Sequence, residues 1–335
     1  MTRSHPNLAE AVTSGVFRIP LPLPLPDLTE INSYALVDDD SLILVDPGWR
    51  EETSEAILVD ALAELDRTPA DVSGMLITHS HWDHYTLAMD WQQRYSIPVH
   101  LGHDEHHTID AFDLNDGLHP QQVRLLRLAG APELADTIDR LELDDYEKDL
   151  RFGPPDHWLD HGQVLTGADQ RIEVHATPGH TRGHVVYDLP GTGVTFTGDH
   201  LLPRITPSIG FERTPEPSPL TSYLGSLRAS AEGPSHRMLP AHGALTARTD
   251  VRARELLAHH DERLTAIHDA VAAGASTAAG IAGGMVWTRR NRALSELSPV
   301  HAMTAILEVR AHLVHLATQG RLTMTTGEVE SFHTS

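Results

Sequence analysis

The 335-residue sequence predicts an α/β domain followed by a smaller helical module. Short apolar and β-branched runs alternate with helical spacing over roughly the first hundred residues, which is typical of strands and helices packed in layers. Strand-like runs return between residues 171 and 197, and helical spacing dominates after residue 247. We therefore predict an α/β domain over residues 1–246 and a helical module over residues 247–335.

The N-terminal part is predicted to open with a meander of strands. Strands are expected at residues 16–21, 31–37 and 41–45, because these runs are apolar or β-branched and are bounded by Pro, Asp and Gly. Residues 52–65 have apolar side chains at helical spacing, and residues 72–77 form a short apolar run. The chain after residue 77 is therefore expected to form a loop at the end of a strand.

The middle of the chain changes character twice. Residues 85–95 predict a helix and residues 98–101 a short strand, whereas residues 103–161 carry helical patterns without a strand signal. We interpret residues 103–161 as a helical insertion that could act as a lid over a pocket. Beyond it, the sequence predicts strands at 171–176, 184–189, 193–197 and 238–240, and a helix at 220–231.

The C-terminal segment is predicted to be a winged-helix-like module. Helices are expected at residues 248–273, 277–281 and 300–318, followed by a hairpin of residues 321–325 and 328–332. The histidines of these helices are expected to lie at the surface or at an interface, as polar side chains usually do. They are His259, His260, His268, His301, His312 and His315.

Composition limits both the chemistry and the partners. The sequence has no cysteine and 24 histidines, so a metal ion would have to be held by His, Asp or Glu. The net charge of −22 repels a polyanionic backbone, so no nucleic-acid partner is expected. The sequence has neither an apolar secretion segment at its N-terminus nor a run of about 20 apolar residues. We therefore expect a cytoplasmic protein without a membrane partner.

Four potential metal ligands fall within six residues, namely His79, His81, Asp83 and His84. Side chains two residues apart in an extended segment point the same way, so His79 and His81 can hold one metal ion. Asp83 and His84 follow as the chain turns into a helix, and they can face a second ion. The alternative is a solvated loop in a histidine-rich protein.

Three further ligand candidates lie at the ends of predicted strands. His180 lies in a Pro-Gly turn between two strands, Asp199 follows a β-branched run, and His242 follows a short strand. Active sites are commonly built where the loops at strand ends meet above a sheet. These positions favour a metal site over a chance cluster of histidines.

These blocks, in this order, resemble the metallo-β-lactamase superfamily over about residues 15–245, and most of all its glyoxalase II (hydroxyacylglutathione hydrolase) branch. The resemblance implies an αββα sandwich of two mixed sheets with outer helices. It also implies one metal ion held by His79, His81 and His180, a second held by Asp83, His84 and His242, and Asp199 bridging both. The absence of cysteine, which some lactamases of the superfamily use as a ligand, favours the binuclear hydrolase branch over an antibiotic-degrading enzyme.

The resemblance also implies residues that support the centre. Asp46 matches the Asp-x-Gly turn of the family and would hold a metal ligand by a hydrogen bond, although an Asp in a turn can also serve its own backbone. His184 is either a similar support or a histidine at the start of a strand. Trp82 would face the substrate, or would simply pack beside the start of a helix.

Two divalent metal ions would lower the pKa of water towards neutrality and polarise a substrate carbonyl. Asp83, as a ligand beside that water, is the candidate catalytic carboxylate that orients the nucleophile and moves its proton. Zinc is the expected metal, and the mixture of His and carboxylate ligands also suits iron or manganese.

We expect a hydrolase that attacks a carbonyl ester, thioester or lactone with a polar or anionic acyl group. The alternatives are a phosphodiesterase or ribonuclease of the same superfamily, and a metal sensor or scaffold without hydrolytic activity. Residues 300–318 contain Arg310 as their only Lys or Arg, so a small-molecule substrate is favoured over nucleic acid. Arg213 and Arg204 could hold an anionic substrate group, or could be exposed loop residues. The C-terminal module could pack on the first domain or form a homodimer.

Overall fold

The computed structural model of the chain describes residues 7–25, 28–39, 41–113, 116–142, 150–287 and 291–334. Parts of the predicted insertion, residues 114–115 and 143–149, lie outside the described residues. Among the described residues, no helix combines the length and the apolar character that crossing a membrane requires.

The first sheet has seven strands that follow one another in chain order. The first four strands pair antiparallel, and the last four pair parallel, so the sheet is mixed. The strands are β1 (Glu10–Thr13), β2 (Val16–Pro22), β3 (Glu30–Val37), β4 (Leu42–Val45), β5 (Val72–Ile77), β6 (Val99–Gly102) and β7 (His157–Leu159). Strand β7 lies within the region that the sequence predicted to be helical, since three residues are too short to display an alternating pattern.

The second sheet has five strands in the order β12-β11-β10-β9-β8. Only β11 and β12 pair parallel, so this sheet is also mixed. The strands are β8 (Val164–Gly167), β9 (Gln170–Ala176), β10 (Val185–Leu189), β11 (Val194–Gly198) and β12 (Arg237–Pro240).

The two sheets pack face to face because alternate residues along each strand point to opposite faces. In β4, Ile43 and Val45 face the second sheet, where they pack with Ile172 and Phe196. The neighbouring residue Leu44 faces the opposite way, into a core that the first sheet shares with two helices. These helices are α1 (Glu52–Glu64) and α2 (Trp82–Tyr95). The predicted αββα sandwich of two mixed sheets with outer helices is confirmed.

Most of the remaining helices form a third core on the side of the second sheet. They are α4 (Pro120–Leu128), α5 (Pro132–Asp139), α6 (Pro219–Glu232), α7 (Thr249–Ala272), α8 (Ala278–Gly283) and α9 (Pro299–Thr318). The short helix α3 (His106–Asp110) instead places Ile109 in the core of the first sheet. Leu126 of α4 and Ala135 of α5 belong to the same buried cluster as Leu224 of α6 and Val309 of α9. The C-terminal helices therefore share their core with the insertion, and the boundary at residue 246 stays a prediction.

The C-terminal elements follow the predicted order of three helices and a hairpin. Two short strands, β13 (Val286–Trp287) and β14 (Arg292–Ala293), pair between α8 and α9, and β15 (Leu322–Thr325) pairs with β16 (Ser331–Thr334) after α9. The assignment of this part as winged-helix-like stays a prediction.

The expectation that the C-terminal histidines lie at the surface or at an interface is wrong for His260, His312 and His315. All three are at most 3% exposed. His260 Nδ1 lies 3.1 Å from His312 Nε2, and His315 Nδ1 lies 2.8 Å from Thr221 Oγ1. Hydrogen bonding between the helices thus permits the burial of side chains that are usually exposed.

Candidate metal centre

The structure brings the seven predicted metal ligands together at one edge of the sandwich. The loop after β5 carries His79 and His81, and α2 begins at Trp82, earlier than the predicted start at residue 85. Asp83 and His84 therefore lie in the first turn of α2, where the partial positive charge of the helix N-terminus favours a carboxylate. The other three ligands follow β9, β11 and β12; they are His180, Asp199 and His242.

The first group of ligand atoms comprises His79, His81, His180 and Asp199. His180 Nε2 lies 3.2 Å from His79 Nε2, 3.1 Å from His81 Nδ1 and 3.4 Å from Asp199 Oδ2. Three imidazole nitrogens and one carboxylate oxygen thus converge on one point.

The second group comprises Asp83, His84 and His242. Asp83 Oδ2 lies 3.4 Å from His242 Nε2 and 3.7 Å from His84 Nε2. Asp199 Oδ1 lies 3.4 Å from His242 Nε2 and 3.9 Å from His84 Nε2. Asp199 therefore turns one oxygen towards each group, as a bridging ligand must.

The ring nitrogens that face away from the centre have hydrogen-bonding partners. This arrangement fixes the orientation of each ring and leaves its other nitrogen for a metal ion. The pairs are His79 Nδ1 with Thr78 Oγ1 at 3.1 Å, His81 Nε2 with the Phe211 carbonyl at 2.8 Å, His84 Nδ1 with Asp46 Oδ2 at 2.9 Å, His180 Nδ1 with the Ser208 carbonyl at 2.7 Å and His242 Nδ1 with the Glu30 carbonyl at 2.9 Å.

Three of the inward-facing atoms are buried and have no hydrogen-bonding partner among the described residues. They are His84 Nε2, His242 Nε2 and Asp199 Oδ1. Burying polar atoms without partners costs free energy, and a divalent cation coordinated by these atoms would remove that cost. The residues present therefore fit a metal centre with nitrogen and oxygen ligands, and this set is typical of zinc, iron or manganese sites.

Electrostatics differ between the two groups. Burial and the nearby His81 lower the pKa of His180 to about 4, so this ring is neutral at neutral pH and can bind a metal ion directly. Burial alone would lower the pKa of His84, but the carboxylates of Asp83 and Asp46 raise it to about 10. Burial alone would raise the pKa of Asp83, but the neighbouring His84 and His242 hold it below its ordinary value. Without a metal ion, a proton on His84 balances the carboxylates of the second group.

Asp46 connects the two ligand groups through Thr78. Its carboxylate accepts hydrogen bonds from the backbone N–H and the hydroxyl of Thr78, both at 2.8 Å, and lies against His84 Nδ1. Its φ of 47° is in the left-handed region, which non-glycine residues rarely adopt. These contacts are those of the supporting role predicted for Asp46.

His184 holds the backbone of the bridging ligand. Its Nε2 accepts a hydrogen bond from the Asp199 N–H at 3.2 Å, and its Nδ1 lies 2.8 Å from Thr177 Oγ1. Gly198 has a φ of +49°, and a Cβ atom there would lie 2.6 Å from Thr78 Oγ1 and 2.7 Å from His184 Nε2. Only glycine can therefore bring Asp199 this close to the centre.

Glu105 lies beside the centre, although no sequence motif pointed to it. It is fully buried, and its Oε2 accepts hydrogen bonds from the N–H of Ser80, at 3.2 Å, and from the Ser80 hydroxyl. Its Oε1 accepts a hydrogen bond from the Thr181 hydroxyl. Ser80 separates His79 from His81, and Thr181 follows His180, so one carboxylate joins two ligand loops. A lone Glu at the start of an insertion gives no sequence signal for such a role.

Trp82 and Arg213, the predicted substrate-pocket residues, both line one cavity of about 130 Å³ beside His81. We call this cavity the aromatic pocket. Its apolar walls are Trp82, Phe112, Leu118, Leu150, Phe152 and Phe211. Of the two arginines considered for an anionic substrate group, Arg213 lines the cavity, whereas Arg204 is exposed in the same loop.

Comparison with known proteins gives consistent results. The family model of the metallo-beta-lactamase superfamily matches residues 26–242. A hydroxyacylglutathione hydrolase of Mesorhizobium japonicum is 29% identical over 213 residues, which are 62% of this chain and 63% of that protein. The hydroxyacylglutathione hydrolase GloC of Haemophilus influenzae is 27% identical over 49% of this chain and 63% of its own length. The chain thus spans less than two thirds of these curated relatives.

Two solved structures resemble almost the whole chain. A metallo-beta-lactamase family protein from Thermus thermophilus is 26% identical, with a TM-score of 0.79 over 97% of this chain and 100% of that one. A beta-lactamase domain protein from Burkholderia ambifaria is 28% identical, with a TM-score of 0.74 over 99% of this chain and 96% of that one. The similarity therefore extends into the C-terminal helices.

Proposed function

The chain belongs to the metallo-beta-lactamase superfamily. From this premise we propose that it is a hydrolase that uses two divalent metal ions to hydrolyse a carbonyl ester, thioester or lactone. Zinc is the metal we propose, with iron or manganese as alternatives. The proposed partner is a small-molecule substrate rather than a nucleic acid.

The arrangement of Asp199 between the two ligand groups is the observation that supports a binuclear centre most directly. Its Oδ2 lies 3.4 Å from a nitrogen of the first group, and its Oδ1 lies 3.4 Å from a nitrogen of the second. A single-metal site would need only one of these oxygens. His84 Nε2 and His242 Nε2 would otherwise be buried without a partner.

Two divalent ions in such a centre would lower the pKa of water and stabilise negative charge on the substrate carbonyl oxygen. In this proposal His79, His81 and His180 hold one ion, Asp83, His84 and His242 hold the other, and Asp199 contacts both. Asp83 is the proposed catalytic carboxylate. Although burial alone would raise the pKa of Asp83, His84 and His242 hold it below its ordinary value. The carboxylate is therefore ionised and can orient the attacking water by accepting a hydrogen bond from it.

Carbonyl hydrolysis is favoured over phosphodiester hydrolysis by three observations. Two relatives are named as hydroxyacylglutathione hydrolases, and thioester hydrolysis is the reaction that their name describes. The net charge of −22 disfavours attraction of a polyanion. The aromatic pocket beside His81 also suits a small molecule better than a polymer.

The test is a comparison of kcat/KM on a panel of thioesters, esters and lactones against single-stranded RNA at matched salt concentration. The Asp83→Asn protein serves as the control for contaminating hydrolases. We expect turnover of at least one carbonyl substrate and negligible cleavage of RNA. Efficient cleavage of RNA with no turnover of the carbonyl panel would replace this proposal by a nuclease function.

A further inference from the structure

We propose that the aromatic pocket binds an apolar acyl group of roughly six carbon atoms, so that the preferred substrates are thioesters, esters or lactones carrying such a group. The inference rests on the proposed carbonyl hydrolysis and names the part of the substrate that this site selects. It differs from the polar or anionic acyl group that the sequence suggested.

The pocket is continuous with the metal centre. His81 lines it, and the same ring offers Nδ1 to the first ligand group. His81 Nε2 lies 2.8 Å from the carbonyl oxygen of Phe211, and the two rings are 6.3 Å apart between centroids. A substrate whose carbonyl reaches the metal centre would therefore have an aromatic wall within reach of its acyl group.

The walls are contributed mainly by the insertion and by the loop after β11. The rings of Phe112 and Phe152 are 4.1 Å apart between centroids, and Phe211 lies 5.4 Å from His119. Leu118 and Leu150 complete this side. Burial of an apolar group against such surfaces is favourable in proportion to the area removed from water.

Gln122 and Glu212, two polar residues of the pocket, are already bonded to the protein. Gln122 Nε2 donates to the backbone carbonyl of Glu212 at 2.9 Å. The Glu212 carboxylate accepts from Thr108 Oγ1 at 3.1 Å and from the Arg182 N–H at 2.9 Å. These groups therefore shape the pocket, and they gain little from a polar substrate group.

Among the described residues that line the pocket, Arg213 is the only Lys or Arg, and its guanidinium is already engaged by other groups. Burial, with a smaller contribution from Arg213, lowers the pKa of His119 to about 4, so His119 is neutral at neutral pH. Burial and the nearby Glu105 raise the pKa of Glu212. The guanidinium of Arg213 lies 4.8 Å from the centre of the Phe112 ring and donates to the Gly117 carbonyl at 2.9 Å. Arg213 thus holds the rim of the pocket in place.

The size of the cavity sets the length of the acyl group. Its volume is about 130 Å³, and apolar cavities of about 150 Å³ in other proteins hold one benzene molecule. Each methylene transferred into the pocket should raise kcat/KM about fourfold, which amounts to about 250-fold for the four methylenes between acetyl and hexanoyl. Acyl groups longer than hexanoyl should give no further increase in kcat/KM.

The test uses N-acetylcysteamine thioesters of acetyl, butanoyl, hexanoyl and decanoyl groups with the zinc-loaded protein. Leu118→Phe narrows the pocket and should lower the ratio of kcat/KM for hexanoyl to kcat/KM for acetyl at least tenfold. Leu118→Ala should move the preferred length upwards. Leu165→Phe, which alters a partly buried leucine of β8 outside the pocket, is the matched control and should not change the length preference.

Binding is measured separately by calorimetry with hexanamide and acetamide, so that the result does not depend on turnover. Wild-type protein should bind hexanamide at least tenfold more tightly than acetamide, and Leu118→Phe should abolish the difference. Circular dichroism establishes that each variant is folded, and Leu118→Ala tests the same pocket if Leu118→Phe does not fold.

The outcomes separate this inference from the proposed function. If no thioester is hydrolysed but hexanamide binds preferentially, the pocket stands and the proposed hydrolysis fails. If all four thioesters are hydrolysed with equal kcat/KM and hexanamide binds no better than acetamide, the hydrolysis stands and the pocket assignment is overturned. Failure of both measurements rejects both.

Discussion

Two buried clusters of histidines in the described part of the chain differ in the groups that accompany the rings. At the metal centre, Asp83 and Asp199 lie within 3.4 Å of His242 Nε2. Between α7 and α9, His260 and His312 contact each other, and His312 Nδ1 bonds to the Glu308 carbonyl at 2.7 Å. The described residues that could hold a metal ion include the first cluster and not the second.

Burial of histidine alone therefore does not identify a metal site. We call His260 and His312, between α7 and α9, the helical cluster. Burial and the neighbouring His312 lower the pKa of His260 to about 2, so the rings are neutral and act as hydrogen-bonding core residues. At the centre, carboxylates supply the negative charge that a divalent cation requires. In these two clusters, carboxylates accompany the rings only where the candidate metal ligands lie.

The largest effect that this comparison predicts is on Asp83. Asp83→Asn keeps the shape of the side chain but removes the charge that distinguishes the centre from the helical cluster. We expect kcat to fall by about 10²- to 10⁴-fold with an unchanged circular dichroism spectrum. Near-normal activity would show that Asp83 is not the catalytic carboxylate.

The next prediction concerns the number of metal ions. Protein purified with zinc supplied should contain two ions per chain, and His84→Ala should reduce the content to about one, because it removes a ligand of the second group only. Elemental analysis measures both. A wild-type content that stays at one or below would remove the binuclear proposal.

A smaller effect on metal binding is expected for Glu105, whose carboxylate joins the two ligand loops through Ser80 and Thr181. Glu105→Gln should lower the affinity of the first ligand group for its metal ion by about 10- to 100-fold. The reason is that the loops that carry His79, His81 and His180 lose the carboxylate that joins them. Competition with a chelator measures the affinity, and the absorption spectrum of the cobalt-loaded protein reports the ligand geometry.

Glu330→Gln is the control for that experiment. Glu330 is also a buried carboxylate, but it accepts hydrogen bonds from Arg310 in the C-terminal part, at 2.8 and 2.7 Å. The Glu330→Gln variant should therefore bind the metal ion with unchanged affinity. If both variants lower the metal affinity equally, Glu105 affects the centre only through the stability of the fold.

The smallest effect on the centre is expected from the helical cluster. His312→Leu should leave metal content and kcat unchanged, while the free energy of unfolding falls by about 1–3 kcal/mol because His260 loses its buried hydrogen-bonding partner. Chemical denaturation measures the change. A loss of metal from this variant would contradict the division between functional and structural histidines.

Although it missed the short strand β7, the sequence by itself determined most of the longer strands and helices, the seven candidate ligands and the absence of thiolate chemistry. It could do so because His79 to His84 are covalent neighbours, so their spacing already fixes which side chains can share a metal ion. His180, Asp199 and His242 follow strands whose ends meet at one edge of a sheet. These are local or topological constraints, and a linear pattern can carry them.

Only the tertiary structure decided the orientation of Asp199 between the groups, the bracing by Glu105 and the apolar character of the aromatic pocket. Each depends on contacts between residues far apart in the chain, such as Glu105 with Thr181 and His81 with Phe211. The same holds for His260 and His312, which are 52 positions apart and bury each other against expectation. Burial and partner choice depend on the whole packing arrangement, because a polar side chain enters a core only where a distant residue satisfies it.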